Sequence, residues 1–143
     1  MIKIANKGNL FGVIESVENT QEYLEEAIKA GFLVKVDLWV INGKMCSGEN
    51  YPSYKISFND ILNPSKILFQ TRNSAAFSYI IENGFHGFTD GSKFSFTSKG
   101  IPISHGSSAT DKTIVFFPEN EPYEKIKNMD ILGVCGDFVG AYV

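Results

Sequence analysis

Histidine and cysteine are scarce in this sequence, two of each, and their scarcity closes off several chemistries. Two histidines cannot complete a three-ligand zinc site alone, so His86 and His105 read as ordinary loop or core residues. Cys46 and Cys135 stand far apart and lack the partners a metal cluster needs, so free buried thiols are expected. No apolar run approaches the roughly 18 residues of a membrane span. No charged-then-apolar leader opens the sequence, which sets the expectation of a cytoplasmic chain. Basic residues are not in excess. The net charge is -3, against the basic footprint that bulk nucleic-acid binding requires. Neither nucleic acid nor a membrane is therefore an expected partner. There is no internal repeat and no low-complexity segment.

What is present is a single-domain pattern over 1–143, long enough for one core and rich in rings, with 12 Phe. Leu33–Trp39 has the β-branched and aromatic content of a central strand and leads into Asn42-Gly43, a strong hairpin signal. On a strand, Lys35, Asp37 and Trp39 share one face, and Val34, Val36 and Leu38 the other. A lysine and an aspartate are costly in a packed core and cheap at the mouth of a site. Met1–Ala5 reads as a first strand, broken by Gly8 and Asn9. A helix capped by Asn19 or Thr20 runs to Ala30, with Tyr23, Leu24, Ala27 and Ile28 as its stripe. Lys44–Ser47 and Lys66–Thr71 read as further strands. Asn73 or Ser74 caps a second helix with Ala76, Phe77, Ile80 and Ile81 inward, closed by Gly84. Short strands follow at Phe85–Phe88, Lys93–Thr97, Gly100–Ser104, Thr113–Phe117 and Ile131–Cys135. Asp90-Gly91 is expected as a turn, 106–111 as a Ser/Gly-rich loop, and Pro122–Lys127 as one helical turn.

Six stretches stand in a telling order: Ile-Ala-Asn-Lys-Gly-Asn at 4–9, Glu-Asn-Thr at 18–20, Val-Asp-Leu-Trp at 36–39, Gly-Glu-Asn-Tyr-Pro at 48–52, Thr-Ser-Lys-Gly at 97–100 with Pro118-Glu119, and Gly-Val-Cys-Gly-Asp-Phe at 133–138. In that order and spacing the chain resembles the glycerophosphodiester phosphodiesterase superfamily, and its small single-domain members in particular. The resemblance implies an α/β fold, a reduced (β/α) TIM-type barrel with few outer helices. A full barrel takes about 200 residues or more. Missing helices would leave apolar wall exposed, which implies a homo-oligomer.

The same resemblance implies a site at the C-terminal ends of the strands, and this chain departs from it residue by residue. Where the family has His-Arg, Asn6-Lys7 stand. An asparagine moves no proton near neutral pH, and a lysine meets phosphate as a point charge without the guanidinium fork. Lys7 reads equally well as a solvated loop lysine. Glu18 matches the family's glutamate near the site, though a helix-start charge is the commoner reading. Where the family has Glu-x-Asp holding a divalent cation, Lys35 replaces the first carboxylate and only Asp37 remains. An internal ion pair of Asp37 with Lys35, Lys7 or Arg72 is then expected in place of the metal. Glu49 stands where the family has its second catalytic residue, an acid/base if buried and otherwise an exposed loop glutamate. Gln70 is neutral, a poor ligand and a good hydrogen bonder.

Two histidines and one metal carboxylate are thus replaced together. The expectation is a catalytically degenerate domain without cofactor, binding a phosphorylated small molecule through Asn6, Lys7, Lys35, Asp37, Gln70, Arg72 and Lys99. One alternative is a divergent phosphodiesterase using Glu49 and Asp37, with Mg²⁺ or Ca²⁺. Another is a protein-interaction domain without ligand.

Overall fold

A computed structural model describes residues 1–89, 94–105 and 112–142. The expected turn at Asp90-Gly91, the start of the strand at Lys93 and the 106–111 loop lie outside the described residues. In chain order the elements are β1 (Ile2–Asn6), α1 (Gln21–Lys29), β2 (Leu33–Ile41), β3 (Lys44–Ser47), β4 (Tyr54–Lys55), β5 (Ile67–Thr71), α2 (Ser74–Glu82), β6 (Gly87–Phe88), β7 (Phe94–Phe96), β8 (Pro102–His105), β9 (Ile114–Phe116), α3 (Tyr123–Lys127) and β10 (Gly133–Gly136). The α/β class and the small number of helices agree with the sequence.

All ten described strands belong to one sheet. Parallel pairings run β6-β5-β2-β1-β10-β9-β8. β3 and β4 continue antiparallel from the far half of β2, and β7 lies antiparallel on β8. β2 is the pivot: it is nine residues long, so β1 and β3 share one of its edges while β5 takes the other. The turn from β2 to β3 forms because Asn42 and Gly43 both take positive φ, 50° and 76°, as a type I′ hairpin demands.

The sheet curls, and side-chain alternation gives it two apolar faces. Ala5, Val34, Val36, Leu38, Ile67, Phe69, Val115 and Val134 point to the helices and pack on Leu24, Ala27, Ala76, Ile80 and Ile126. Ile4, Leu68, Phe88, Ile103, Ile114, Phe116 and Cys135 form a second cluster on the concave face. Phe88 of β6 and Phe116 of β9 meet edge to face, their ring centroids 5.3 Å apart, although β5, β2, β1 and β10 separate their strands in the sheet. The Gly87 carbonyl accepts from the Ser98 N–H at 2.7 Å, so the β6 edge also touches the chain leaving β7. Among the described residues no ladder joins β6 to β7 or β8.

Local chemistry explains the helices. Thr20, not Asn19, caps α1, its side chain accepting from the Tyr23 N–H. Asn73 caps α2, accepting from the Ala76 N–H. In α2 only Ala76 and Ile80 are buried. Phe77 and Ile81, expected inward, are 41% and 50% exposed. Residues four apart share one face of a helix, and only that face of α2 lies on β2 and β5. Among the described residues, no helix is long and apolar enough to cross a membrane. Cys135 is buried and Cys46 half-buried, both free thiols.

Candidate functional site

Strand direction decides where the polar residues gather. Residues that follow a parallel strand lie at its C-terminal end: Lys7 after β1, Arg72 after β5, Asp137 after β10. On β2, β5 and β1 the inward positions near that end are Lys35, Asp37, Gln70 and Asn6. Together Asn6, Lys7, Lys35, Gln70 and Arg72 line a pocket of about 190 Å³ with Glu49 and with Phe88, Ile103, His105, Phe116 and Phe117. The ion-pair reading of Asp37 is met in two of its three options.

Asp37 is the hub beneath this pocket and has no exposed surface. Its Oδ1 accepts from Lys35 Nζ at 2.9 Å, from Arg72 Nε at 2.9 Å and from Arg72 Nη2 at 2.6 Å. Its Oδ2 accepts from Asn19 Nδ2 at 2.9 Å, and its backbone N–H donates to Asn19 Oδ1 at 3.1 Å. Burial alone would raise the Asp37 carboxyl, but the Lys35 charge, the Asn19 hydrogen bond and Arg72 hold it below its usual range. Lys35 also donates to Gln70 Oε1 at 2.7 Å. Burial pulls the Lys35 ammonium below its ordinary value against the attraction of Asp37. Lys35 Nζ is the donor in both of its hydrogen bonds, to Asp37 and to Gln70.

A divalent cation does not fit this donor set. It needs carboxylate or carbonyl lone pairs facing it. Both oxygens of Asp37 are already engaged, and two of the three engaged partners carry positive charge.

Lys7, the third option, pairs instead with Glu49, Nζ to Oε2 at 2.7 Å. Burial would lower the Lys7 ammonium, but Glu49 and the charges of Glu18 and Asp37 carry it above its ordinary value. Glu49 itself is half-exposed, so the buried acid/base option for it is not realised. Lys99 is not in this group. It precedes β8, and so lines a separate pocket of about 400 Å³ among Ile2, Leu33, Ile101 and Leu132, where the parallel strands begin. His86 lines that pocket too, held by Thr97 at 2.7 Å and pushed down to about 4 by burial and then by Lys99.

A second polar network flanks the hub. Asp137 Oδ1 accepts from Asn6 Nδ2 at 2.8 Å and from Asn9 Nδ2 at 2.9 Å, and Glu119 Oε1 accepts from the Asp137 N–H at 3.0 Å. Asn9 also donates to Glu18 at 2.5 Å and accepts from the Tyr23 hydroxyl at 3.0 Å. Glu18 therefore turns toward the site rather than serving only the helix start.

The sequence offered Asn19 as one of two candidate caps and left His105 out of the site. Asn19 instead takes a positive φ of 64°, which asparagine tolerates, and so turns its amide under β2. Its place inside Glu-Asn-Thr was the available signal. His105 carried none, because only the pairing of β8 with β9 brings it beside Phe116 and Phe117. No family model, no curated protein and no solved structure matches the chain.

Proposed function

We propose that this chain is a catalytically degenerate phosphodiesterase-like domain, its curled sheet a reduced barrel of TIM type, which binds a phosphorylated small molecule at the C-terminal mouth. One observation carries the reading: cations from three separate strands converge on one pocket. In the lining itself Lys7, Lys35 and Arg72 stand against Glu49 alone, with the carboxylates of Asp37, Glu18 and Asp137 set behind it. A local positive field of this kind attracts a phosphate dianion to an acidic protein.

Turnover is not part of the proposal. The Asn6 amide has no proton to exchange near neutral pH, and a Lys7 ammonium raised above its ordinary value is no base. The ordered motifs of the sequence support the same family origin with lost chemistry. Hydrolysis of glycerophosphodiesters is expected at background, with or without Mg²⁺.

Affinity for inorganic phosphate tests the reading by calorimetry. Each charge-assisted contact is worth roughly 1.5–3 kcal/mol, so Lys7→Ala and Arg72→Ala should each weaken binding by about one to two orders of magnitude. Glu49→Gln should strengthen it, because it releases Lys7 from a competitor. Equal affinity in all four proteins would remove the mouth as the binding site.

We extend the proposal to a homo-oligomer. Phe11, Val13, Ile14 and Phe138 are 76%, 53%, 51% and 45% exposed; Phe11 and Ile14 line one cleft, and Gly12 between them sits against the Phe138 ring. Light scattering should give at least a dimer mass, lowered by Phe11→Glu. A monomer mass at high concentration would refute this.

A further inference from the structure

The mouth pocket has two unlike halves, and the second has no role in holding phosphate. Besides Lys7 and Arg72 the lining has Phe88, next to Gln70 on the neighbouring strand, and Ile103, His105, Phe116 and Phe117. We propose that this half is a subsite for a planar aromatic group, so that the ligand is a phosphate ester of an aromatic alcohol. The inference rests on the phosphate-binding reading of the mouth and narrows its ligand class.

Ring geometry supports an aromatic occupant over an aliphatic one. His105 and Phe117 stack, with centroids 6.0 Å apart and planes at 28°, and both are half-buried. Phe116 meets Phe117 at 83° and Phe88 at 90°. Phe88 and Phe116 are buried, so the ring surface that a further ring would meet is that of His105 and Phe117. A pocket of about 190 Å³ is smaller than the roughly 300 Å³ and upward of sites for drug-sized ligands, so it suits one ring and one phosphate.

Phe117 is also held at a cost. Its backbone lies in the left-handed region, φ 52° and ψ 55°, unusual for a bulky residue and doubly so before a proline. A 2.7 Å hydrogen bond from its N–H to the Cys135 carbonyl fixes it there. An extended backbone at this position would point the ring elsewhere. Strain of this kind collects where side-chain placement matters for binding.

The strain supplies a clean test. Glycine takes this conformation freely, so Phe117→Gly removes the ring and keeps the fold. Affinities of inorganic phosphate, methyl phosphate, cyclohexyl phosphate and phenyl phosphate are measured by calorimetry on both proteins. The wild type should bind phenyl phosphate at least about tenfold tighter than methyl phosphate, with cyclohexyl phosphate between them. In Phe117→Gly the phenyl-to-methyl ratio should fall toward one while methyl phosphate affinity stays as it was. Equal binding of methyl and phenyl phosphate by the wild type overturns the subsite and leaves the phosphate site standing. Equal binding of cyclohexyl and phenyl phosphate overturns the claim of a planar ligand. Binding of none of the four overturns the subsite together with the reading of the mouth. Should Phe117→Gly unfold, the wild-type series still decides between these outcomes.

Discussion

Asp37→Ala should destabilise the protein by about 3–5 kcal/mol, the cost of leaving a buried charge without its partner. That is a large share of the roughly 5–15 kcal/mol that holds a domain folded. The abandoned charge is Lys35, 2% exposed. Arg72 suffers less, because about a quarter of its side chain is exposed and can turn outward. A double substitution, Lys35→Met with Asp37→Leu, should therefore be far closer to the wild type than Asp37→Ala alone. Urea midpoints would decide it. A single variant within about 1 kcal/mol of the wild type would mean that the hub is not coupled as its distances imply.

Acid adds an independent readout of the same hub. The folded-state pKa of Asp37 lies below its unfolded value, near 3.9. Its contribution is thus fully present above that unfolded value and is lost as pH falls through the folded one. The gap between the wild type and Asp37→Asn should stay constant from neutral pH down to about 4 and close below it.

The hub was half legible. Period-two alternation in Leu33–Trp39 put Lys35 and Asp37 on one face, and no other arrangement of that strand buries Val34, Val36 and Leu38 together. The ion pair was expected because Lys35 stands where the resemblance implies a metal carboxylate. Asn42-Gly43 and Asn73 were legible for a similar reason, since turn and cap chemistry is local. What the sequence hid is whatever depends on which strands adjoin. β5 pairs with β2 across the intervening β3 and β4, and β8 with β9, and neither adjacency leaves a local mark. Hence Gln70 as the second acceptor of Lys35, and His105 beside Phe117, emerge only from the sheet. The two residues of β4 are too few for any periodicity to register. The placement of Lys99 is a different failure. A residue that precedes a parallel strand belongs to the opposite end from Lys7 and Arg72, which follow theirs, and its motif resemblance overrode that simple rule.

Neighbouring residues of β5 separate folding from function, and this sets the remaining large effect. Phe69 faces the helices with no exposed surface, its ring 5.9 Å from Phe58 and 6.0 Å from Phe85. Gln70, one residue on, faces the mouth and accepts from Lys35. Phe69→Ala should cost about 3–5 kcal/mol, because the Phe58 and Phe85 rings packed on it cannot collapse onto the space left. Phosphate affinity, measured well below the unfolding temperature, should be unchanged, since the lost ring lies on the far side of the sheet. Gln70→Met should cost less, about 1.5–3 kcal/mol, the range for a hydrogen bond to a charged group. It should alter phosphate affinity all the same, because Lys35 then turns its freed N–H toward the mouth. Two measurements on two adjacent positions therefore separate the faces. If Phe69→Ala shifted affinity while Gln70→Met left it untouched, the concave face would not be the face that binds.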